Sequence, residues 1–443
     1  MLVAVVAAAV VLAVLVLGGA SRATAPGDGE PPRFGVLGSS CDAARVGPLV
    51  GAGVSLAQIT IRWSEFAPEP GIVDPGYRDE VDATIRRCRD AGLGVVLSPG
   101  LQGVPEWVTA LPGASYRDQY GRPGSAAVPN LAFSAAARDA TAEYLAEVAR
   151  TWPLETFAAI RVGTGDNGEL GYPTRSADPS GETPSNAFWA FDDAAQQGDG
   201  LAAGAAPSPM PGWTPGDPEW NGRAVDAKQV RSWFEWYSAS IAGAARWQID
   251  TLRELGFRGE IHLPLAGRGV LPADLDAAVE NRLDGTGDRD GSLNTGLDYR
   301  AQLAALAAAP GPLVVDSSSV DDTTAVNARR LDPPQDVCAP DDAEQVRFPT
   351  VDVSAWPSYR WTAAVAAEHG LPVMGENPGN AAAAGTGGDA GSDPLPEQMT
   401  QGTRYAQECG FRAFLFAFED DLFGGSPDLN PDVYAARIRA VTG

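Results

Sequence analysis

The chain has 443 residues, 44% of them hydrophobic, with 57 acidic against 32 basic side chains and a formal charge of −25. That balance argues against binding nucleic acid or an anionic membrane surface through a basic patch, and with Lys228 as the lone lysine, arginine carries nearly all of the positive charge. The length fits either about three average domains or one α/β barrel with insertions.

The first residues, MLVAVVAAAVVLAVLVLGG, are an apolar run of bilayer-spanning length, followed by the A-x-A-like Ser21-Arg22-Ala23-Thr24-Ala25 and the polar breaker PGDGEPP. Residues 1–25 therefore read as a signal peptide or N-terminal membrane anchor, although a basic n-region is missing, and 26–33 as a linker. Residues 34–443 form the folded part, expected to be secreted or anchored outside the cytoplasm. Any membrane contact runs through the N-terminal segment alone. Cys41 and Cys338 lie in expected loops and are candidates to pair in an oxidising compartment. Cys88 and Cys409 fall on helices and read as buried small hydrophobes. With no C-x-x-C and two histidines, His262 and His369, no zinc site is expected.

From residue 34 onward, short apolar runs alternate with longer helical patterns, which is the signature of βα units and a parallel sheet. The strands expected are 34–38, 54–63, 94–98, 158–163, 260–267, 312–319, 372–376 and 411–418. Helical periodicity covers 77–91, 134–150, 229–255, 298–309, 361–368, 397–408 and 431–441, and Gly92, Gly256, Gly370 and Gly410 stand where a helix C′ glycine belongs. In the longest helix, Trp233 and Trp236 read as packing against the barrel. Eight strands alternating with helices predict a single (β/α)8 TIM barrel. Its long loops, 174–225, 320–355 and 378–396, all follow strands and so sit at the C-terminal face, where barrel enzymes build their sites.

Two strand ends carry the chemistry. AAIRVGTGDNGELGYP breaks from an apolar strand into Asp166, Asn167 and Glu169, and GLPVMGENPGN ends on Glu376. Strands four and seven lie across the barrel mouth from each other, so Glu169 and Glu376 can face one another over a cleft. Glycoside hydrolysis needs that pairing: a protonated acid for the leaving oxygen and a carboxylate for the anomeric carbon or its water. Aromatic faces suit pyranose rings, and Trp63, Trp107, Tyr172, Trp356 and Tyr359 are the expected platforms, with Phe418 a further candidate. Glu65, Gln102, Asp166, Asn167, Asn377 and Asp420 are expected at sugar hydroxyls. The run from Asp284 to Ser292 resembles a calcium loop with the first and last positions of the pattern wrong, so no metal is assigned. No cofactor is expected, and GxSxG, P-loop, dinucleotide and HExxH motifs are absent.

The segment WSEFAPEPGIVDPGYRDEVDATIRRCRDAGLGVVLSPGLQGVPEWV resembles the early barrel of glycoside hydrolase clan A, above all the family 42 beta-galactosidases. That resemblance implies an acid/base at the end of strand four and a nucleophile at the end of strand seven, the positions of Glu169 and Glu376. The usual Asn-Glu pair is here stretched to Asn167-Gly168-Glu169. VGTGDNGELGYP, SWFEWYSASI, MGENPGN and FLFAFEDDL are similar to segments of the family 14 beta-amylases, and imply Glu169 as general acid. Where that family carries its base, LVVDSSSVDD offers Ser319. The expectation is a retaining glycosidase of a beta-galactoside or beta-glucoside, taking an oligosaccharide or polysaccharide. The alternatives are an inverting beta-amylase-like hydrolase, with Glu376 or Asp316 as base, and a barrel that binds carbohydrate without cleaving it.

Overall fold

A computed structural model describes residues 31–174, 186–288, 291–348, 351–379 and 391–443. The N-terminal apolar segment and most of the linker, parts of the three long loops and Asp290 of the calcium-like run lie outside the described residues. Eight parallel strands close into a barrel: β1 (Arg33–Val36), β2 (Val54–Thr60), β3 (Gly94–Ser98), β4 (Ala159–Arg161), β5 (Glu260–Leu265), β6 (Leu313–Ser317), β7 (Val373–Glu376) and β8 (Ala413–Phe416). Every neighbouring pair is parallel, and β8 returns to β1 with Arg33 opposite Ala413. The expected (β/α)8 TIM barrel is the fold.

The outer ring consists of α1 (Ala43–Gly51), α2 (Pro75–Asp90), α3 (Ala135–Thr151), α4 (Ala227–Glu254), α5 (Tyr299–Leu306), α6 (Ser358–Glu368), α7 (Leu395–Glu408) and α8 (Pro431–Thr442). Local chemistry sets their starts. Asp74, Ser134, Asp226, Asp298 and Asn430 each accept a hydrogen bond from a first-turn N–H, and Asp226 with Gln229 forms a reciprocal capping box. The four glycines expected to end helices all have positive φ. The sequence pattern missed α1, because AARVGPLVG carries two glycines and an internal Pro48 that dilute any helical signal.

Inside the barrel, Leu56, Val96, Ala159, Val314, Met374, Ala413 and Leu415 form a closed apolar plug. Outside it, the helices bury the main core, including Trp233, Tyr237, Ile241 and Ile249 of α4. Trp233 packs on the insertion that follows β4, with Phe188 at 5.4 Å and Trp213 at 5.5 Å between ring centroids, and on Tyr237 of its own helix. The insertion thus folds back over α4.

The cysteines pair differently from expectation. Cys41, just after β1, bonds Cys88 of α2, and Cys338, in the segment after β6, bonds Cys409 at the end of α7. All four are used, so Cys88 and Cys409 are bridge members rather than lone hydrophobes. The reason is topological: each loop folds over a neighbouring helix, a proximity that linear spacing does not report. Among the described residues no helix is long and apolar enough to cross a membrane.

Candidate active site

The chain after β4 explains how Glu169 reaches the barrel. Val162 N–H donates to His262 O on β5, and the next bond of that ladder, to Pro264 O, comes from Leu170 N–H. Leu170 therefore occupies the rung that residue 164 would fill in an unbroken strand. Glu169 stands in turn where residue 163 would, on the inward face above Arg161. The excursion between them is tight: the N–H groups of Thr164 and Gly165 both donate to Glu169 O, and the Thr164 hydroxyl bridges to Gly171. A Cβ on Gly163 would lie 2.1 Å from Gly168 O, so only glycine lets the loop fold down onto the strand end.

Three further inward positions complete the cluster. Arg161 on β4, Asp316 on β6 and Glu376 on β7 are 8%, 0% and 3% exposed. Arg161 is level with Val314 through His262, Asp316 is level with Met374, and Glu376 is two residues beyond. The groups thus climb the barrel axis alongside the apolar plug, level with Val314, Met374 and Leu415 in turn. The Arg161 guanidinium donates to the Glu376 carboxylate and lies 3.5 Å from Asp316 Oδ2. The Ser318 hydroxyl, also inward, donates to Glu169 Oε1, and the Asn167 side chain reaches the same carboxyl.

The electrostatics separate these acids. Burial pushes the Glu169 carboxyl above its ordinary range and the charge of Glu376 adds to this, while Ser318 and Arg161 act in the opposite sense. Burial and the nearby Glu376 push Asp316 well above the carboxylate range, against the pull of Arg161. Burial holds His262 below its usual value, so it is neutral at pH 7.

The other expected contacts divide. Gln102 packs its amide against Gly168, beside Glu169. Trp107 is half-buried, edge-on to Trp63 at 6.3 Å. Asp166 is spent on Thr174, accepting from its N–H at 2.6 Å and its hydroxyl at 3.0 Å. Glu65 is exposed and bidentate to Arg62, and Asp420 is exposed and paired with Arg45. Asn377 is 2% exposed with its amide fully engaged, by Ala417 N–H and O and by Gln398. It clamps β7 to the end of β8, with both amide protons committed.

Four aromatic platforms are packing instead. Trp63 stacks on Tyr144 at 4.1 Å, Tyr172 on Tyr237 at 4.0 Å and Tyr359 on Tyr405 at 3.9 Å, and Trp356 lies under the Arg360 guanidinium. All four are buried, which leaves no ring face for a sugar. Of the rim aromatics named from the sequence, Phe418, two residues after β8, is the most exposed, at 47%. Arg161, Ser318 and His262 escaped the sequence reading. A charge inside an otherwise apolar strand such as AAIRVG was the available signal, because an arginine is rarely buried without a partner.

In the calcium-like run, Asp284 accepts from Thr286 N–H and Asp288 from the N–H groups of Leu293 and Asn294, which ties both carboxyls into turns. Among the described residues no cluster of His, Cys, Asp or Glu has the arrangement to hold a metal.

No protein-family model matches the chain, and no curated protein does. Solved structures do match. The beta-galactosidase of the psychrophile Marinomonas ef1 aligns with a TM-score of 0.53 and 12% identity over 93% of this chain and 59% of its own. The beta-galactosidase of the haloarchaeon Halorubrum lacusprofundi gives 0.53 and 14% over 93% and 57%. The chain thus spans less than two thirds of either relative, and at these identities the likeness is one of fold.

Proposed function

We propose that the chain is a retaining glycoside hydrolase acting on a beta-galactoside or beta-glucoside, with Glu169 as acid/base and Glu376 as nucleophile. The observation that carries this reading is the asymmetry of two inward carboxyls at the barrel mouth. One is pushed up by burial, and the other is ion-paired with Arg161. Glu169 holds a proton for the leaving oxygen, and Glu376 attacks the anomeric carbon to form a glycosyl ester. Glu169, now ionised, then takes the proton of the water that hydrolyses that ester. Phe418 offers a ring face at the same rim. The two disulfides agree with a chain that works outside the cytoplasm.

The test is hydrolysis of an aryl-glycoside and oligosaccharide panel by wild type, Glu169→Ala and Glu376→Ala. The expected loss is about 10²–10⁴-fold for removal of the acid/base, smaller on substrates with good leaving groups that need no proton. Azide should rescue Glu376→Ala as a glycosyl azide of inverted configuration. Full activity in Glu376→Ala would remove the nucleophile assignment. A wild type that binds sugars and cleaves none would leave a carbohydrate-binding barrel.

A further inference from the structure

Arg161, Asp316, Glu376 and Glu169 place three carboxyls around one guanidinium in the water-poor centre of the barrel. The Arg161 charge is committed upward to Glu376. Asp316 is wholly buried, and neither of its oxygens receives a hydrogen bond from any N–H or O–H of the described residues, with Arg161 Nη1 at 3.5 Å the nearest cation. A buried carboxylate without donors is strongly unfavourable, and a second one beside Glu376 would divide the single positive charge. A protonated Asp316 removes both penalties, because its O–H becomes a donor aimed at the carboxylate within its reach, that of Glu376.

Resting on the reading of Glu376 as nucleophile, we propose that Asp316 is a positioning residue: a neutral carboxyl that donates a hydrogen bond to Glu376 from below and leaves the Arg161 charge to it. The ladder supports this geometry, since Asp316 and Glu376 project inward from adjacent strands, two residues apart along the axis. Ionisable groups face Asp316 from each side: Arg161 on β4, Glu169 on the loop beyond it and Glu376 on β7. His262 on β5 lies beside Arg161, and its neutrality adds no second cation to replace the donor.

Asparagine keeps a neutral donor of the same shape at this position, whereas alanine removes it. Asp316→Ala should lower kcat about ten- to hundredfold, the scale of a hydrogen bond to a charged group, with KM nearly unchanged, and Asp316→Asn should recover most of that loss. The second readout needs no turnover. The infrared difference between wild type and Asp316→Asn at neutral pH should contain the carbonyl stretch of one protonated carboxylic acid, separated by subtraction from Glu169 and other buried acids. An Asn variant as impaired as the Ala variant would overturn the proposal, since an ionised aspartate would then be required. A difference spectrum without the acid band would overturn it as well. If wild type cleaves no glycoside while the band is present, the neutral Asp316 stands and the hydrolase reading falls.

Discussion

Ser318 shows how much a single hydroxyl on the barrel wall decides. Its Oγ donates to Glu169 and also contacts Leu265 O at 3.2 Å, which fixes the rotamer. A hydrogen bond to the carboxyl favours the ionised form and so opposes the burial that raises Glu169. The sign for Ser318→Ala follows: without the donor, the Glu169 carboxyl rises further and keeps its proton to higher pH. The alkaline limb of kcat/KM should therefore move to higher pH, with the acidic limb unchanged. A downward move would mean that Ser318 holds the protonated form. At the same scale, Trp63 and Phe418 illustrate what a residue name leaves open. Both are aromatic and follow barrel strands, yet one is 1% and the other 47% exposed. The difference comes from α3, whose Tyr144 covers the Trp63 ring, and nothing in the neighbourhood of Trp63 in the sequence announces it.

At the scale of elements, the excursion between Gly163 and Leu170 is the device that puts an acid on the inward face. The expectation that Glu169 ends strand four was right about place and silent about path: β4 stops at Arg161, and the ladder resumes at Leu170. The one added residue of Asn167-Gly168-Glu169, Gly168, sits at φ 78° with the Gln102 amide packed on it. Gly163→Ala tests this device. Its Cβ would meet Gly168 O at 2.1 Å, so the loop must lift and carry Glu169 with it. A misplacement of about 1 Å is worth about 10²-fold in rate, and that loss is expected in kcat with the far-ultraviolet circular dichroism unchanged. Activity equal to wild type would show that the loop is not what positions the acid.

For the whole molecule, the two disulfides tie the C-terminal-face loops to the helix ring. Cys41–Cys88 closes 47 residues and Cys338–Cys409 closes 71. In the chain-entropy account each loop of that size is worth about 4 kcal/mol through the unfolded state. Reduction under native conditions, or Cys41→Ser with Cys88→Ser, should lower Tm by several degrees and leave the barrel folded, since the apolar plug and outer core do not depend on the bridges. An unchanged Tm would mean that the bridges form little in solution.

The order of the strands and, α1 apart, of the outer-ring helices, the barrel they close and the strand tops that carry Glu169 and Glu376 were legible in the sequence. Periods of 2 and 3.6, cap residues and helix-ending glycines are properties of neighbouring residues, and they need no knowledge of distant ones. The meeting of Arg161, Asp316, Ser318 and Glu376, the burial of Trp63, Tyr172, Trp356 and Tyr359, and the partner of each cysteine were decided by the tertiary structure. Those relations join positions up to 215 residues apart, as Arg161 and Glu376 are. Closure of the ring and the choice of which loop covers which helix set them, and no local pattern encodes either.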